Sequence, residues 1–355
     1  MTQVVNIEGL TRAAEKYDRE FKVLPYAVLI PELANLGIRL IQVNYKDTII
    51  EELRKGGITK PYAQDEDIIY SKIAKLTERS LITHPGYAAI KDHIRNYREK
   101  NVLFDPTANK VDNQGKKHPL EKMVIINKVR TVSEDILDAL FPATRNIADK
   151  SPMGLVDGID TLIDNSIASG EISIAEKNMI NSGSFSAPAS ETDTDAWDAL
   201  VAWLRSVHVK FALNGTPVLR LPIAIYYHCA DALANKLRYK GVEFEDFVRH
   251  LQDRANMPKL KVVKHFAIGT GARITLQVEG NIDLGMNTMG DEQFVQVRNI
   301  FEDPNLVQFW LQFDVGLRIN SMHPYKFVVN EGSPVANPVS GDYTDSGSGS
   351  ESVSV

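Results

Sequence analysis

The strand that decides the fold is residues 307–319, VQFWLQFDVGLRI. Apolar and polar side chains alternate along most of this stretch, and that two-residue period is typical of a β-strand with one buried face. The residues that share the predicted buried face are Phe309, Leu311, Phe313 and Val315. The stretch therefore predicts a long strand in a sheet that is covered on one side.

The rest of the carboxyl-terminal half predicts an α+β arrangement around this strand. Further strands are predicted at 218–227, 261–268, 273–278, 294–298 and 325–329. Two helices are predicted between the first two of these strands, at 230–238 and 243–255. From residue 331 to 355 the composition changes to Gly, Ser and Asp, which predicts a flexible tail.

The middle of the chain predicts three helices separated by turns. The first is 134–140, with Ser133 as its cap and Pro142 as its stop. The second ends at Gly170, and the third starts at Asp195, after a polar loop at 181–194. The predicted buried residues of these last two helices are Ile159, Leu162, Ile163 and Ile167, then Trp197, Leu200, Val201, Leu204 and Val207.

In the first third of the chain, the sequence predicts helices and strands with apolar faces, but the neighbouring segments supply little apolar surface to pack against them. A helix is predicted at 8–21, interrupted afterwards by Pro25 and Pro31, and a strand follows at 38–44. Two more helical stripes are predicted, comprising Ile68, Ile69, Ile73 and Leu76 in 65–80, then Tyr87, Ile90, Ile94 and Tyr97. Either the rest of the same subunit or an identical neighbour must cover these stripes.

An exposed hairpin is predicted after those stripes. Its strands are 101–104 and 123–132, and the loop between them is polar. Positive charge is concentrated around its tip, at Lys110, Lys116, Lys117 and Lys122. This pattern is typical of a solvated loop, and it also fits a tip that docks on an acidic patch of another subunit.

Composition places the chain among ordinary folded proteins. It has 355 residues, 43% hydrophobic and 24% charged, enough for one large or two ordinary domains. The net charge of -6 argues against specific nucleic-acid recognition. We expect no membrane span and no secretion signal, hence a cytoplasmic start, and the single Cys229 excludes an intramolecular disulfide.

The sequence predicts no catalytic residue, no metal site and no cofactor. The motifs GxxxxGK[ST], HExxH, GxSxG and paired CxxC are absent. Residues 269–273, GTGAR, are interpreted as a hairpin turn between two strands, and 214–216 as another turn. The remaining polar residues fit turns, helix starts or the core, namely His84, His93, His228, Cys229, His250, His323 and the acid pairs Asp157/Asp160 and Asp193/Asp195.

The order of these parts resembles the major capsid proteins of tailed bacteriophages. The resemblance is carried by 141–145, FPATR, by 151–159, SPMGLVDGI, and by a closing sheet formed from 281–285, 294–298, 309–319 and 324–329. In that sheet an aromatic-rich strand contains Gly316, and Pro324 precedes the last apolar strand. The resemblance spans nearly the whole chain.

This resemblance implies a Hong Kong 97-like capsid fold with five parts. They are an amino-terminal arm at 1–36, an extended-loop region at 37–132, a peripheral domain with a spine helix at 133–213 and 307–330, an axial domain at 214–306, and the tail at 331–355. It also implies a shell of hexamers and pentamers around double-stranded phage DNA, assembled in the bacterial cytoplasm. Scaffold, portal and decoration proteins would be partners, and packaged DNA would lie nearby without specific binding.

Two other functions remain open from the sequence. The same fold could form an encapsulin-like compartment that loads an enzyme instead of DNA. An unrecognised cytoplasmic enzyme is the second alternative, with a site at Tyr226, His228 and Asp231 where a strand is predicted to meet a helix.

Overall fold

The computed structural model of the protein describes residues 7–54, 74–93, 120–181, 183, 185–208, 211, 215–238, 241–265, 273–288, 294–300 and 303–331. The helices among them are α1 (Ile7–Lys16), α2 (Asp18–Asn35), α3 (Leu120–Ala139), α4 (Ile159–Ala168), α5 (Asp195–Ser206), α6 (Ile223–Leu237) and α7 (Phe244–Ala255). A short 3-10 helix occupies Pro152–Gly154.

The strands belong to three sheets. They are β1 (Ile38–Gln42), β2 (Lys46–Arg54), β3 (Ala74–Ile82), β4 (His84–His93), β5 (Pro217–Pro222), β6 (Lys261–His265), β7 (Ile274–Val278), β8 (Ile282–Asn287), β9 (Val295–Ile300), β10 (Asp303–Ile319) and β11 (Phe327–Asn330). Because helices and largely antiparallel strands are both present, the α+β class predicted from the sequence is confirmed.

Strand β10 organises the central, five-stranded sheet. It pairs antiparallel with β4 along one edge and with β9 and then β8 along the other, and β8 in turn pairs parallel with β1. At its middle, Phe309 lies opposite Ile90 of β4 and Val297 of β9. The first third of the chain is therefore joined to the last third by backbone hydrogen bonds.

Two apolar cores lie on either side of a second sheet, which has the strand order β11, β7, β5, β6. Helices α1 to α4 and the central sheet form the first core. Helices α5 to α7 form the second core against residues such as Leu219 and Leu276. Along β11, Phe327 and Val329 belong to the first core and Val328 to the second, so this sheet is apolar on both faces.

Several predicted elements are confirmed. The face of β10 formed by Phe309, Leu311, Phe313 and Val315 is buried. Helix α5 buries Trp197 and Leu204, and the polar loop before it contains no helix or strand in the residues that are described. After α4, Gly170 has a φ of +78°, the left-handed conformation predicted from its position.

The two helical stripes predicted in the first third are wrong wherever the structure describes them. Residues 74–82 form strand β3, paired with β2, and residues 84–93 form strand β4, paired with β10. Pairing with distant strands overrode the local helical spacing, as is common for short apolar segments. Ile90 is half-buried and Tyr87 stacks on Trp310 with ring centroids 4.9 Å apart, so this subunit covers part of β4 itself. Residues 65–73 and 94–97 lie outside the described residues.

The predicted strand at 123–132 is also wrong, because these residues belong to helix α3. Val124, Ile125, Val129 and Val132 are buried there, and packing against α1 and α2 outweighs the strand preference of their branched side chains. Ser133 lies inside this helix, where its hydroxyl donates to the carbonyl oxygen of Val129. Residues 101–119 lie outside the described part, including Lys110, Lys116 and Lys117.

Lys122 is not at an exposed tip. It is 8% exposed on α3, its Nζ is 2.5 Å from Oε2 of Glu20, and it lies 4.3 Å from the ring centroid of Tyr17. The ammonium group of Lys122 therefore joins α3 to the amino-terminal helices of its own subunit, through Glu20 and Tyr17.

Two other boundaries differ from the prediction. Helix α2 continues through Pro25 and Pro31, because burial of Pro25, Leu29 and Leu33 offsets the two lost backbone hydrogen bonds. The strand predicted at 218–227 ends at Pro222, where α6 begins. Strands β6 and β7 each pair with β5, and the turn predicted at 269–273 lies outside the described residues except for Arg273. Strand β8 was not predicted as a strand of its own.

Replacing Phe309 with alanine is expected to destabilise the subunit by about 3 to 5 kcal/mol, since its ring is fully buried between β4 and β9. The matched control is Gln312→Ala, at an exposed position of the same strand, with an expected effect within about 0.5 kcal/mol. Chemical denaturation of dispersed subunits, followed by circular dichroism, measures both. Equal effects of the two substitutions would contradict the assigned role of β10.

Candidate assembly surface

Strands β2 and β3 form a ribbon of their own. They pair antiparallel from Lys46 opposite Ile82 to Arg54 opposite Ala74, and in the described part of the chain they pair with no other strand. Nine residues per strand give a length of about 30 Å. A two-stranded ribbon is only marginally stable in water by itself. Its stability must come from its base or from a partner.

Apolar side chains on the ribbon lie open to solvent. Tyr45, at the start of the ribbon, is 74% exposed, Ile50 is 69% exposed and Ile82 is 40% exposed. Ile50 shares its outward face with Thr48, which is also exposed. Single exposed apolar residues are ordinary, but three on one marginal ribbon mark a surface suited to contact with another protein.

A buried arginine holds the base of the ribbon. Arg318 of β10 is 3% exposed, and its Nη2 donates to Oδ2 of Asp47 at 2.9 Å and to Oδ2 of Asp283 at 3.0 Å. Its Nη1 also donates to the carbonyl oxygen of Asp47, at 3.0 Å. One side chain thus joins β10, β8 and β2.

The carboxylate of Asp283 is fully buried and has a second cation. Arg39 of β1 binds it in a bidentate manner, with Nε and Nη2 each 2.9 Å from a carboxylate oxygen. This hydrogen bonding to Asp283 raises the pKa of Arg39. We call Arg39, Asp47, Asp283 and Arg318 the polar clamp. Arg318 and Asp283 are buried at its centre, and the partly exposed Arg39 and Asp47 complete their hydrogen bonds from the rim.

Two further ion pairs hold the ribbon farther along. Glu51 accepts a hydrogen bond from the hydroxyl of Ser321 and lies 3.3 Å from Nζ of Lys326. On the other strand, Nη2 of Arg79 donates to Oε2 of Glu171 at 2.9 Å. The ribbon is therefore attached to the segments that follow β10 and α4 as well as to the sheet.

Two glycines allow the ribbon base to cross the sheet closely. A Cβ at Gly316 would lie 2.3 Å from the carbonyl oxygen of Ile82, and a Cβ at Gly285 would lie 2.4 Å from Cδ2 of Leu81. Gly316 and Gly285 are opposite each other in the β10–β8 pair. A larger residue at position 316 would push the backbone of the ribbon away from its clamp, whereas at position 285 the Leu81 side chain would have to move.

A cavity of about 320 Å³ lies beside the ribbon base, between β3, α4 and the end of β10. It is lined by both arginines of this region, Arg79 and Arg318, together with Asn165, Ser169, Glu171 and Met322. Because acidic and basic groups are both present, the lining has no strong preference for an anion or a cation. Nowhere in the described ranges do three His, Cys, Asp or Glu side chains meet as metal ligands would.

The three residues of the enzyme alternative lie on one helix, α6, in different surroundings. His228 is buried, with Nδ1 2.8 Å from the carbonyl oxygen of Phe185, whereas Asp231 is exposed. Tyr226 packs among Tyr227, Phe244 and Phe247. These contacts are those of a helix that packs into the second core. Cys229 is fully buried beside them, and burial raises the pKa of its thiol.

The acid pairs hold loops and helix starts. Asp157 accepts a hydrogen bond from the backbone N–H of Arg145, and Asp193 accepts from those of Ala189 and Asp195. These backbone hydrogen bonds lower the pKa of Asp193. Asp160 lies beside Arg273, yet burial raises its pKa.

Sequence reasoning missed the polar clamp. Arg318 falls on the face of β10 that alternation assigns to solvent, and Asp283 lies in 281–285, which only the resemblance indicated as part of the closing sheet. The available signal was a charged pair inside two apolar segments, 281–286 and 315–319, which is unusual unless the charges meet.

Comparisons with known proteins give likenesses in structure only, since no protein-family model and no curated protein matches the chain. The fold is similar to a chain in the capsid of Myoviridae phage XM1, at 12% identity and a TM-score of 0.49, over 84% of this chain and 90% of that one. It is also similar to a chain of the satellite phage P4 procapsid with its size determination (Sid) protein, at 10% identity and a TM-score of 0.48, over 84% and 93%.

A third similar structure is the virus-like particle from Pyrococcus furiosus, at 13% identity and a TM-score of 0.43, over 89% of this chain and 99% of that one. Phage capsids, the kind of protein that the sequence resembles, are thus among the solved structures with a similar fold. None of the helices in the described ranges has both the length and the apolar character needed to span a membrane.

Replacing Asp47 with alanine is expected to loosen the ribbon while leaving the rest of the subunit folded. A hydrogen bond to a charged group contributes about 1.5 to 3 kcal/mol, and partial exposure of Asp47 reduces this to about 1 to 2 kcal/mol. Amide hydrogen exchange in 46–54 and 74–82 should therefore accelerate about 5- to 30-fold, with no change in β5 to β7. Thr48→Ala, at the next residue, is the control. Unchanged exchange in the ribbon of the Asp47→Ala variant would show that the clamp does not hold it.

Proposed function

We propose that the chain is a structural shell protein, the major capsid subunit of a tailed bacteriophage. The observation that carries this proposal is the β2–β3 ribbon, which presents uncovered apolar side chains on the face turned away from its own subunit. Such a ribbon gains stability when a neighbouring copy covers it. The sequence resemblance supplies the kind of assembly in which that neighbour is found.

Attachment by charge suits a part that must project from the subunit. The fully buried Leu81 anchors the base of the ribbon, and the polar clamp adds hydrogen bonds that require fixed directions. The ribbon can therefore keep one orientation before a neighbour binds. A projecting element with a fixed orientation can bind a different surface of the next copy, which is a heterologous contact. Such contacts close into a ring when the rotation from one copy to the next divides a full turn.

The proposal includes the division of the chain that the resemblance implies. The amino-terminal arm, 1–36, contains α1 and α2, and the extended-loop region, 37–132, contains the ribbon. The peripheral domain would be 133–213 with 307–330, the axial domain 214–306, and the flexible tail 331–355. Hexamers and pentamers would form the shell, with scaffold, portal and decoration proteins as partners and no enzymatic activity. Assembly would take place in the bacterial cytoplasm, and the product would be the virion capsid.

The experiment that tests the proposal is electron microscopy of the purified chain, with sedimentation to count species. We expect closed particles, and only monomers or small oligomers at all concentrations would overturn the proposal. Particles recovered with an enzyme cargo and unable to package DNA would favour an encapsulin-like compartment instead.

Replacing Ile50 with glutamate should abolish particles without unfolding the subunit, since a charge at a contact that excludes water is left without a partner. Thr192→Glu places the same charge on the exposed loop before α5, and it should assemble as the natural chain does. Sedimentation velocity measures assembly and circular dichroism measures folding. Normal particles from the Ile50→Glu variant would show that the outer face of the ribbon is not a contact.

A further inference from the structure

Helix α2 is apolar around nearly its whole circumference. From residue 21 onward it reads FKVLPYAVLIPELAN, with one acidic and one basic residue. Its buried face is formed by Phe21, Pro25, Leu29 and Leu33. A helix that is apolar on all sides is normally enclosed on all sides.

The opposite face of α2 is exposed. Val23 is 45% exposed and Ile30 is 52% exposed. Ala27, Pro31 and Ala34 are exposed beside them. We call these five residues the outer stripe of α2. At about 1.5 Å per residue, it runs for about 17 Å along a helix about 27 Å long.

The outer stripe cannot turn inward within its own subunit. The hydroxyl of Tyr26 donates to the carbonyl oxygen of Met286 at 2.9 Å, and the hydroxyl of Thr288 donates to that of Lys22 at 2.7 Å. The N–H of Phe294 donates to Oδ1 of Asp18 at 2.8 Å. These bonds fix the rotation of the helix about its axis, so a cover must come to the stripe from outside.

We propose that a second copy of this chain covers the outer stripe of α2. The proposal rests on the proposed function, and it adds a contact surface separate from the ribbon. The same chain carries a second uncovered apolar surface, at Tyr45 and Ile50, on a ribbon about 30 Å long. Two different apolar surfaces on one chain are what a heterologous contact between copies requires.

The charges around the stripe agree with a contact of this kind. Between Val23 and Ala34 the only ionisable groups are Tyr26, whose hydroxyl is bonded to Met286, and Glu32. A partner that binds through charged side chains would therefore have almost no ion pairs to form with the stripe. An apolar surface of another copy could cover the stripe without removing a charged group of the stripe from water. Burial of Val23 and Ile30 against such a surface would be favourable, because it removes apolar area from water.

The test uses Ile30→Cys in the full-length chain and a maleimide reagent. Native Cys229 is fully buried, so it adds little background labelling. We expect Ile30→Cys to react readily in dispersed subunits and at least tenfold more slowly in assembled particles. Thr192→Cys, on an exposed loop, is the control for access of the reagent to particles, and it should react at similar rates in both.

Three outcomes would overturn the inference. Equal reactivity of Ile30→Cys in particles and dispersed subunits means that nothing covers the stripe. Protection in both means that another segment of the same chain, such as 94–119, covers it. If Thr192→Cys is protected in particles as strongly as Ile30→Cys, the protection comes from the shell as a whole and a second pair of variants decides. Ile30→Glu must then abolish particles while Arg19→Glu still forms them. Any other result contradicts the inference. A natural chain that forms no particles would overturn the proposed function and this inference together.

Discussion

The ion pair between Arg318 and Asp283 is the constraint on which the rest of the structure depends. Both side chains are almost fully removed from solvent, so each requires the other, and breaking such a pair costs about 3 to 5 kcal/mol. The register of β8 and β10 places the two residues opposite each other, and Arg39 of β1 and Asp47 of β2 add an ion pair to each of them. Four strands from opposite ends of the chain are thereby fixed to one another. Apolar residues in place of Arg318 and Asp283 could also hold the four strands together. They would not fix the orientation of the strands, because apolar contacts have no preferred direction.

Local sequence patterns predict an element correctly where its buried side chains recur at the regular spacing of a helix or a strand. The buried face of β10 and the helix that buries Trp197 follow from spacing alone, because their contacts repeat at the period of the element. In the first third, β3 and β4 were mistaken for helices because their identity depends on β2 and β10, which lie far away in sequence. Part of α3 was predicted as a strand because its branched residues favour strands. These residues form a helix because they pack against the neighbouring helices. The polar clamp combines both difficulties, since its members become neighbours only after long-range pairing.

A second buried cation marks the boundary between the two cores. Arg220 of β5 is fully buried, its Nη2 donates to the carbonyl oxygen of Leu36 at 3.0 Å, and Gln277 of β7 donates to that of Gly37. Burial lowers the pKa of Arg220 to about 9, and its Nε and Nη1 have no hydrogen-bond partner among the described residues. This arrangement sacrifices stability, yet it fixes the turn between α2 and β1 to the second sheet. The outer stripe of α2 and the ribbon are therefore oriented by the same frame.

The parallel pairing of β1 with β8 has a consequence for the order of events during protein synthesis. Residue 38 meets residue 282, so 244 further residues must be translated before β1 has its partner. At about 5 to 20 residues per second, a ribosome needs about 12 to 49 s for that interval. During this time the early strands of a nascent chain lack the sheet that places them. Copies still attached to ribosomes therefore cannot present a finished ribbon, and any contact between copies through the ribbon is delayed until each polypeptide is nearly complete.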